Sequence, residues 1–516
     1  MYRRAINKRL LSMHHGYIIT NIKKLMNDKE RRNMDKQVVQ YYRALDDDTL
    51  RKFWKSGGII QGVEYPLADT FLHTHTDLGS PKDSILTVDE YVKIASDMGA
   101  SSISVTDHGC MYGVIPLYKA CDAHNAGVQN EEERIKCIIG VEFYVCESFD
   151  SQIKKKKTRL HLIAYAKDNI GYHVLCRLTT EANKHIISAG DNDYPCISRA
   201  DLERYLGPGS EGHGHVILTS ACIGGVIAGM MFESDNEAKN CARLEHAIKS
   251  LQELSERYQY VFNKIQDMDE AKKAAQLLSK KTYKKRISAL EKHPDPEEQA
   301  KLDAEIKESE EAKKQVSKYT IMIKQNKDVL STVNTEIDKL CKNVEGETRI
   351  DKAVKQLGLL QQEFEKSKQN IITEDQVEER FTEAMQYYEA LAGKGNWFIE
   401  MQFHGISQEK KYIHVLATLA CKLDMPLVAA NDAHMATRDM TEARKIVNAL
   451  RFDATWEAPS EDEYELYLKT DAQLFQWLCK EIPEDLAFEA MKNRKLITDA
   501  CNVTLVKEKH YPKYIA

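Results

Sequence analysis

Between Asp69 and His434 a short apolar run rich in Ile, Val and Leu recurs seven times: TFLHTH, SSISVTDH, KCIIGVEFYV, RLHLIAYA, HVILTSAC, NWFIEMQFH and PLVAANDAH. Between these runs lie VDEYVKIASDMGA, VIPLYKACDAHNAG and GYHVLCRLTTEANK, whose apolar residues recur at three and four positions, as on amphipathic helices. Strand alternating with helix argues for a parallel sheet, because the connecting helix must cross the sheet face between neighbouring strands. About seven such repeats predict an α/β fold whose parallel sheet closes into a barrel.

The way the runs end predicts chemistry. His73 and His75 stand at i and i+2, so in a strand both imidazoles face the same side, and Asp83 follows in the next loop. Asp107 and His108 close the second run, Glu142 stands in the third and His161 in the fourth. Cys222 closes the fifth, and Asp432 and His434 repeat the i, i+2 pattern in the last. In a parallel barrel the C-terminal strand ends share one face, where catalytic groups collect.

Five histidines, two or three carboxylates and one thiol exceed what one tetrahedral zinc takes. They suit two or three divalent ions bridged by carboxylate or hydroxide. Such ligation leaves Zn, Mn and Fe open. Single members keep alternatives: Asp107 as a residue orienting His108, Cys222 as a small buried hydrophobe, and His404 in MQFHG as a substrate-facing, supporting or purely structural group. Clustered divalent ions favour phosphoester hydrolysis, because they generate hydroxide near neutral pH and neutralise charge on a phosphoryl oxygen. No GxxxxGK[ST] loop, GxGxxG turn or GxSxG elbow accompanies the strands, which argues against P-loop, dinucleotide and serine-hydrolase chemistry.

One segment interrupts the alternation. From about Asn236 to Ile372 the chain is rich in Lys, Glu, Gln and Ala. Leu244, Ile248, Leu251, Tyr258, Phe262 and Ile265 follow a 4,3 repeat; after His293-Pro294-Asp295-Pro296, so do Val316, Tyr319, Ile323, Leu330, Val333, Ile337 and Leu340. This reads as an antiparallel coiled-coil hairpin, with a single-helix stalk or small bundle as the alternatives, suited to contacting a partner. Residues 1–68 read as a basic start followed by short helix, and 441–516 as mainly helical. A net charge of −6 with 29% charged residues advertises neither a nucleic acid nor a membrane. The 12 scattered cysteines, with no CxxC pair, fit reduced thiols in a cytoplasmic protein.

HTH with a following Asp, TDHG, GVE, the strand His, the SAC-type Cys and the final NDAH together resemble the PHP (polymerase and histidinol phosphatase) superfamily. Within it the chain looks most like the PHP domain at the N-terminus of the bacterial DNA polymerase III alpha subunit, the C-family replicative polymerase. TDHGCMYGVIPLYKACDAHNAG, HLIAYAKDNIGYHVLCRLTTEA and VAANDAHMATRDMTEA carry that likeness, as does LYLKTDAQLFQWLCKEIPEDLAFEAMKNRKLITDACNVTL. The resemblance implies a distorted seven-stranded β/α barrel over 69–235 and 373–440, interrupted by the insertion at 236–372. It implies two to three divalent metal ions on His73, His75, Asp83, His108, Glu142, His161, Cys222, Asp432 and His434, with Glu142, Asp432, His434 and His108 central to catalysis and Glu142 bridging two ions. The loop from HTH to Asp is about one residue longer than the common polymerase pattern, which leaves Asp77 as a substitute for Asp83.

A complete ligand set implies an active metal-dependent 3′–5′ exonuclease acting on a DNA 3′ end, single-stranded or mismatched, in company with a polymerase core or other replisome protein. The polymerase palm of such enzymes lies beyond the matched region, so this chain by itself is expected not to polymerise DNA and reads as a split subunit or a fragment. The alternatives are a metal-stabilised docking module and a small-molecule phosphatase of the histidinol-phosphatase type.

Overall fold

In a computed structural model, the described residues are 38–60, 63–146, 149, 159–189, 192–346, 348–451 and 465–506. Ser234–Ile371 forms one compact unit, and the rest of the described chain forms another. Among the described residues no helix is long and apolar enough to cross a membrane.

The larger unit is built on a nine-stranded sheet: β1 (Thr70–Phe71), β2 (Ser102–Val105), β3 (Lys136–Cys146), β4 (Leu160–Ala166), β5 (Ile186–Ala189), β6 (Asn192–Ser198), β7 (Val216–Thr219), β8 (Trp397–Met401) and β9 (Leu427–Ala429). Seven strands follow the order β9-β8-β7-β4-β3-β2-β1, and β6 pairs with β3 and β5 with β6. The sheet curls until its two ends touch, where Thr74 bridges Ala433: His75 N donates to Ala433 O at 2.9 Å and Ala433 N to His73 O at 3.1 Å. This is the expected α/β fold with seven principal strands.

The all-parallel expectation fails at β4, which runs antiparallel to both of its neighbours, β3 and β7. The linker ESFDSQIKKKKTR has no apolar period from which a crossover helix could pack on the sheet, and a parallel return needs such a crossover. His161 therefore stands at the start of its strand, and reversal of that strand brings its start to the face where the parallel strands end. The β5–β6 hairpin, from KHIISAGDNDYPCISR, was absent from the seven runs; its AGDN stretch is the turn signal that marks it.

Strand alternation divides the barrel residues cleanly. Ile138, Ile163, Tyr165, Ile217, Phe398 and Val428 face inward and form a buried cluster with Ile497 and Cys501. Val141, Phe143, Leu162, Ala164, Leu218, Trp397, Ile399 and Leu427 face outward against helices. Continuing the inward face in steps of two reaches Glu142 on β3, His161 on β4, Glu400 and Gln402 on and beyond β8, and Asp432 beyond β9. The same strands thus supply an apolar plug at one level and a polar cluster at the other.

The helices are α1 (Asp47–Lys55), α2 (Val88–Asp97), α3 (Val114–Ala126), α4 (Asn169–Lys184), α5 (Arg199–Leu206), α6 (Ala228–Ser279), α7 (Lys284–Lys292), α8 (Pro296–Leu340), α9 (Arg349–Gln369), α10 (Glu374–Ala392), α11 (Ser407–Lys422), α12 (Thr441–Arg451), α13 (Asp471–Leu478) and α14 (Glu484–Ala500). Trp54 of α1 packs on Phe475 and Phe488 of α13 and α14, with ring centroids 5.5 and 5.3 Å apart. Beside them Asp471 accepts from Tyr42 Oη at 2.6 Å and pairs with Arg494 Nη1 at 2.8 Å, all buried. Arg494 Nη1 also donates to Thr70 O at 3.0 Å, which fixes the start of β1. The flanking segments on both sides of the strand-rich region therefore share its core.

In the smaller unit Asp295 caps α8 by accepting from Glu297 N at 3.0 Å, with Pro296 at the first helical position, where its missing N–H is no loss. Leu251 packs with Val333 and Ile337, and Ile265 with Ile323, so α6 and α8 run antiparallel. The two-helix expectation omits α9, whose Ala353 joins the Leu251 cluster. Two heptad positions also differ: Phe262 and Leu340 are exposed, whereas Val261 and Met268 are buried. A 3.6-residue helix drifts against a 3.5-residue repeat, so over a long helix the buried face moves to neighbouring residues.

Candidate metal centre

Glu142 is fully buried, and both its oxygens face histidines. Oε1 lies 2.9 Å from His108 Nδ1 and 2.7 Å from His161 Nδ1; Oε2 lies 3.0 Å from His73 Nε2 and 3.4 Å from His75 Nε2. Opposite, Asp432 Oδ1 stands 3.3 Å from His73 Nε2, 3.2 Å from His75 Nε2 and 3.5 Å from His434 Nδ1. Asp83 Oδ2 lies 2.9 Å from His108 Nε2 and 3.7 Å from His434 Nε2, and Cys222 Sγ is 3.5 Å from His161 Nδ1. His73, His75 and Glu142 are fully enclosed, whereas the side chains of Asp83, His161 and His108 are 34%, 23% and 15% exposed. The cluster therefore has a closed floor and an open rim.

The backbone around the cluster is strained. His73, Asp432 and Ala221, the residue before Cys222, all have positive φ (54°, 50° and 58°), a conformation that L-residues adopt at a cost and that persists where surrounding structure imposes it. The Thr74–Ala433 bridge between the first two of these sites is part of that structure.

All nine expected ligand positions come together here. Asp83 reaches the cluster through His108, and Asp77 N donates to Leu86 O at 3.0 Å. Asp107 does not touch the His108 ring. Its carboxylate accepts from Thr76 N at 2.7 Å and Gly113 N at 3.1 Å, and lies 3.2 Å from Ser80 Oγ. A Cβ at Gly79 or Gly113 would collide with that carboxylate. Since Ser80 Oγ is also 3.2 Å from His75 Nδ1, Asp107 acts on His75 through Ser80. His404 likewise turns away from the cluster: Nδ1 donates to Glu409 at 2.8 Å and Nε2 to Asn431 O at 3.0 Å, so it steadies the backbone before Asp432.

Two buried residues escaped the sequence reading. Glu400 Oε1 accepts from His73 Nδ1 at 2.5 Å, and Oε2 accepts from Thr219 Oγ1 at 2.5 Å; Gln402 Nε2 lies 2.9 Å from the same His73 nitrogen. With Nδ1 turned to Glu400, His73 presents Nε2 to the cluster. The available signal was a carboxylate in the middle of the apolar run FIEMQF.

Burial works against charge throughout the cluster, yet neighbours reverse it. The His161 and His108 rings hold Glu142 well below the usual carboxylate range, and His73 and His434 do the same for Asp432. Against the same burial, Glu400 and Asp432 raise His73 well above an ordinary imidazole, and Asp83 and Glu142 raise His108. His434, pressed by burial and by His75, is lowered instead. Three ionised carboxylates among five imidazoles make a donor set for cations. His75 Nε2, Asp83 Oδ1 and Asp432 Oδ1 are buried and make no well-aligned hydrogen bond among the described residues, although His75 Nε2 and Asp432 Oδ1 lie 3.2 Å apart. Two triplets, His73–His75–Asp432 and His75–His108–His434, each bring ligand atoms within 4.8 Å of one another. The residues present therefore fit divalent metal ions.

Residues 72–268 match the PHP domain family. The chain is 37% identical over 177 residues to the DNA polymerase III subunit alpha of Borreliella burgdorferi, covering 33% of this chain and 13% of that protein. It is 34% identical over 158 residues to the subunit of the same name from Campylobacter jejuni, covering 31% and 11%, and 35% identical over 176 residues to that of Aquifex aeolicus, covering 33% and 13%. The matched part thus spans about an eighth of the length of these relatives.

Proposed function

We propose that this chain, which carries a PHP domain at residues 72–268, is a metal-dependent phosphoesterase of DNA replication, acting as a 3′–5′ exonuclease beside a polymerase core. The observation that carries this reading is the position of Glu142, whose two oxygens lie within 3.4 Å of four imidazoles. Two to three divalent ions, Zn, Mn or Fe, would be held by His73, His75, Asp83, His108, Glu142, His161, Cys222, Asp432 and His434, with Glu142 bridging. Such ions lower the pKa of a bound water and neutralise charge on a phosphoryl oxygen.

The chain's own residues perform the remaining work. Glu400, itself held by Gln402 Nε2, orients His73, Asp107 and Ser80 set His75, and His404 steadies the Asn431–Asp432 backbone. The closed floor excludes water, and the open rim at Asp83, His108 and His161 admits a phosphodiester. Segment 234–371, bearing no group of three potential ligands among the described residues, is read as the coiled-coil arm that docks a replication partner.

The reading is tested by giving Mn²⁺- or Zn²⁺-loaded protein 3′-labelled single-stranded and mismatched primer DNA. Wild type is expected to release 3′ nucleotides, and His75→Ala and Asp432→Ala to lose that release. No release by wild type, or release by both variants at the wild-type rate, overturns it, as does fewer than about two ions per chain by elemental analysis of loaded protein.

A further inference from the structure

Among the described residues, Arg159 belongs to neither the ligand set nor a salt bridge, and it stands two positions before His161. Arg159 lies just before β4, and an i, i+2 pair in extended chain shares one side. Its guanidinium carbon lies 3.9 Å from the centroid of the Tyr194 ring on β6. Its Nη1 is buried with no hydrogen-bond partner among the described residues. Arg159 as a whole is half-buried; the two buried arginines among the described residues are engaged, Arg494 by Asp471 and Arg444 by the Asp83 carbonyl.

The ring that steadies Arg159 is tied to the cluster. Tyr194 meets Tyr144 edge-on with centroids 5.1 Å apart, and Tyr144 packs on His161 at 5.3 Å and on His108 at 5.9 Å. Sheet register produces this row, since Tyr144 lies opposite His161 on one side and beside Cys196 on the other. Gly109, with φ of 62°, completes the approach: a Cβ there would run into Pro195 next to Tyr194. A guanidinium held over an aromatic face is oriented without being neutralised, and its in-plane N–H groups stay available. A buried charged donor without an acceptor is costly, and the acceptor that suits it beside clustered cation ligands is an anion.

We propose that Arg159, steadied by Tyr194, is the phosphate anchor of this centre, taking a non-bridging oxygen of the phosphoester that the metals act on. The planar fork of Arg suits a phosphoryl group because two N–H bonds reach one phosphate in parallel. The inference rests on the phosphoesterase reading for the identity of the substrate, but the anion site itself is separately measurable.

The test uses the full, metal-loaded chain with two probes: inorganic phosphate by calorimetric titration, and 3′-labelled single-stranded DNA in steady state. Arg159→Gln is expected to weaken phosphate binding and raise KM for DNA by roughly 10- to 100-fold, since a charge-assisted pair is lost. Its kcat is expected to stay within about threefold of wild type, with metal content unchanged. Arg159→Lys, which keeps the charge and loses the fork, is expected to fall between. Tyr194→Ala, which frees the guanidinium, is expected to weaken phosphate binding severalfold. Phosphate binding that is absent from wild type, or equal in wild type and Arg159→Gln, overturns the anchor. DNA cleavage by wild type with an unchanged KM in Arg159→Gln also overturns it while leaving the exonuclease reading intact. Arg159-dependent phosphate binding in a protein that cleaves no DNA upholds the anchor and sinks the exonuclease reading.

Discussion

The strand-rich unit and the helical unit bury opposite kinds of residue. The first buries His73, His75, Asp107, Glu142, Glu400, Glu409, Asp471 and Arg494 in the sheet and the helices packed on it, and several of these groups are held by partners from distant parts of the chain. The second buries two small apolar clusters, around Leu251 and Ile265, and leaves its charges in solvent. Polar burial at that density requires partners brought from remote sequence positions, which a curled sheet supplies and paired helices do not. The units should therefore respond to different perturbations.

The largest separation is expected from Asp471→Ala. It leaves Arg494 charged and without a counter-ion in the core beside Tyr42 and should destabilise the strand-rich unit by about 3–5 kcal/mol. Chemical denaturation followed by Trp54 and Trp477 fluorescence checks this, and a shift under about 1 kcal/mol would mean the network is dispensable. The matching probe of the helical unit is Ile337→Ala. Loss of a fully buried side chain should cost about 2–4 kcal/mol there. Hydrogen exchange should show faster opening of α6 and α8 with metal content unchanged; loss of metal would refute the independence of the two units.

A subtler probe is Glu400→Gln. Removing the carboxylate that orients His73 should weaken metal binding about 10- to 100-fold with little change in melting of the apoprotein. Competition against a chelator measures it, and wild-type affinity would remove Glu400 from the centre's support.

The smallest effect concerns Lys469, which burial lowers to about 8. Below that pH the lysine is charged in both folded and unfolded chains. Between about 8 and the unfolded value near 10.4, the unfolded chain holds a proton that the folded one has released, so stability rises with pH, by at most about 1.4 kcal/mol per unit. Urea midpoints from pH 7 to 10 in wild type, compared with Lys469→Met, should show this slope only in wild type.

The cluster was largely legible because its histidines and carboxylates end strand-like runs and recur as i, i+2 pairs. His73–His75 and Asp432–His434 declared themselves within four residues each. Glu400 did not, because a lone carboxylate inside FIEMQF has no partner nearby in sequence; its partner, His73, is 327 positions away. The direction of β4 was hidden for a related reason: His161 looks the same whether it ends a parallel strand or begins an antiparallel one. Asp107 and His404 were recognisable as polar groups worth noting, but the atoms they hold, Thr76 N and Asn431 O, belong to loops whose path follows from packing.

By itself the sequence determined the α/β alternation, the strands that carry metal-binding groups, and the presence of a helical interruption, since each is written in spacing over a few residues. Only the tertiary structure decided which carboxylate of the 76–84 loop reaches His108, which residue orients His73, and that Arg159 lies over Tyr194 with Nη1 unpartnered among the described residues. Those outcomes depend on register between strands far apart in the chain. A one-residue slip in that register reverses every side chain, and local propensity does not encode it.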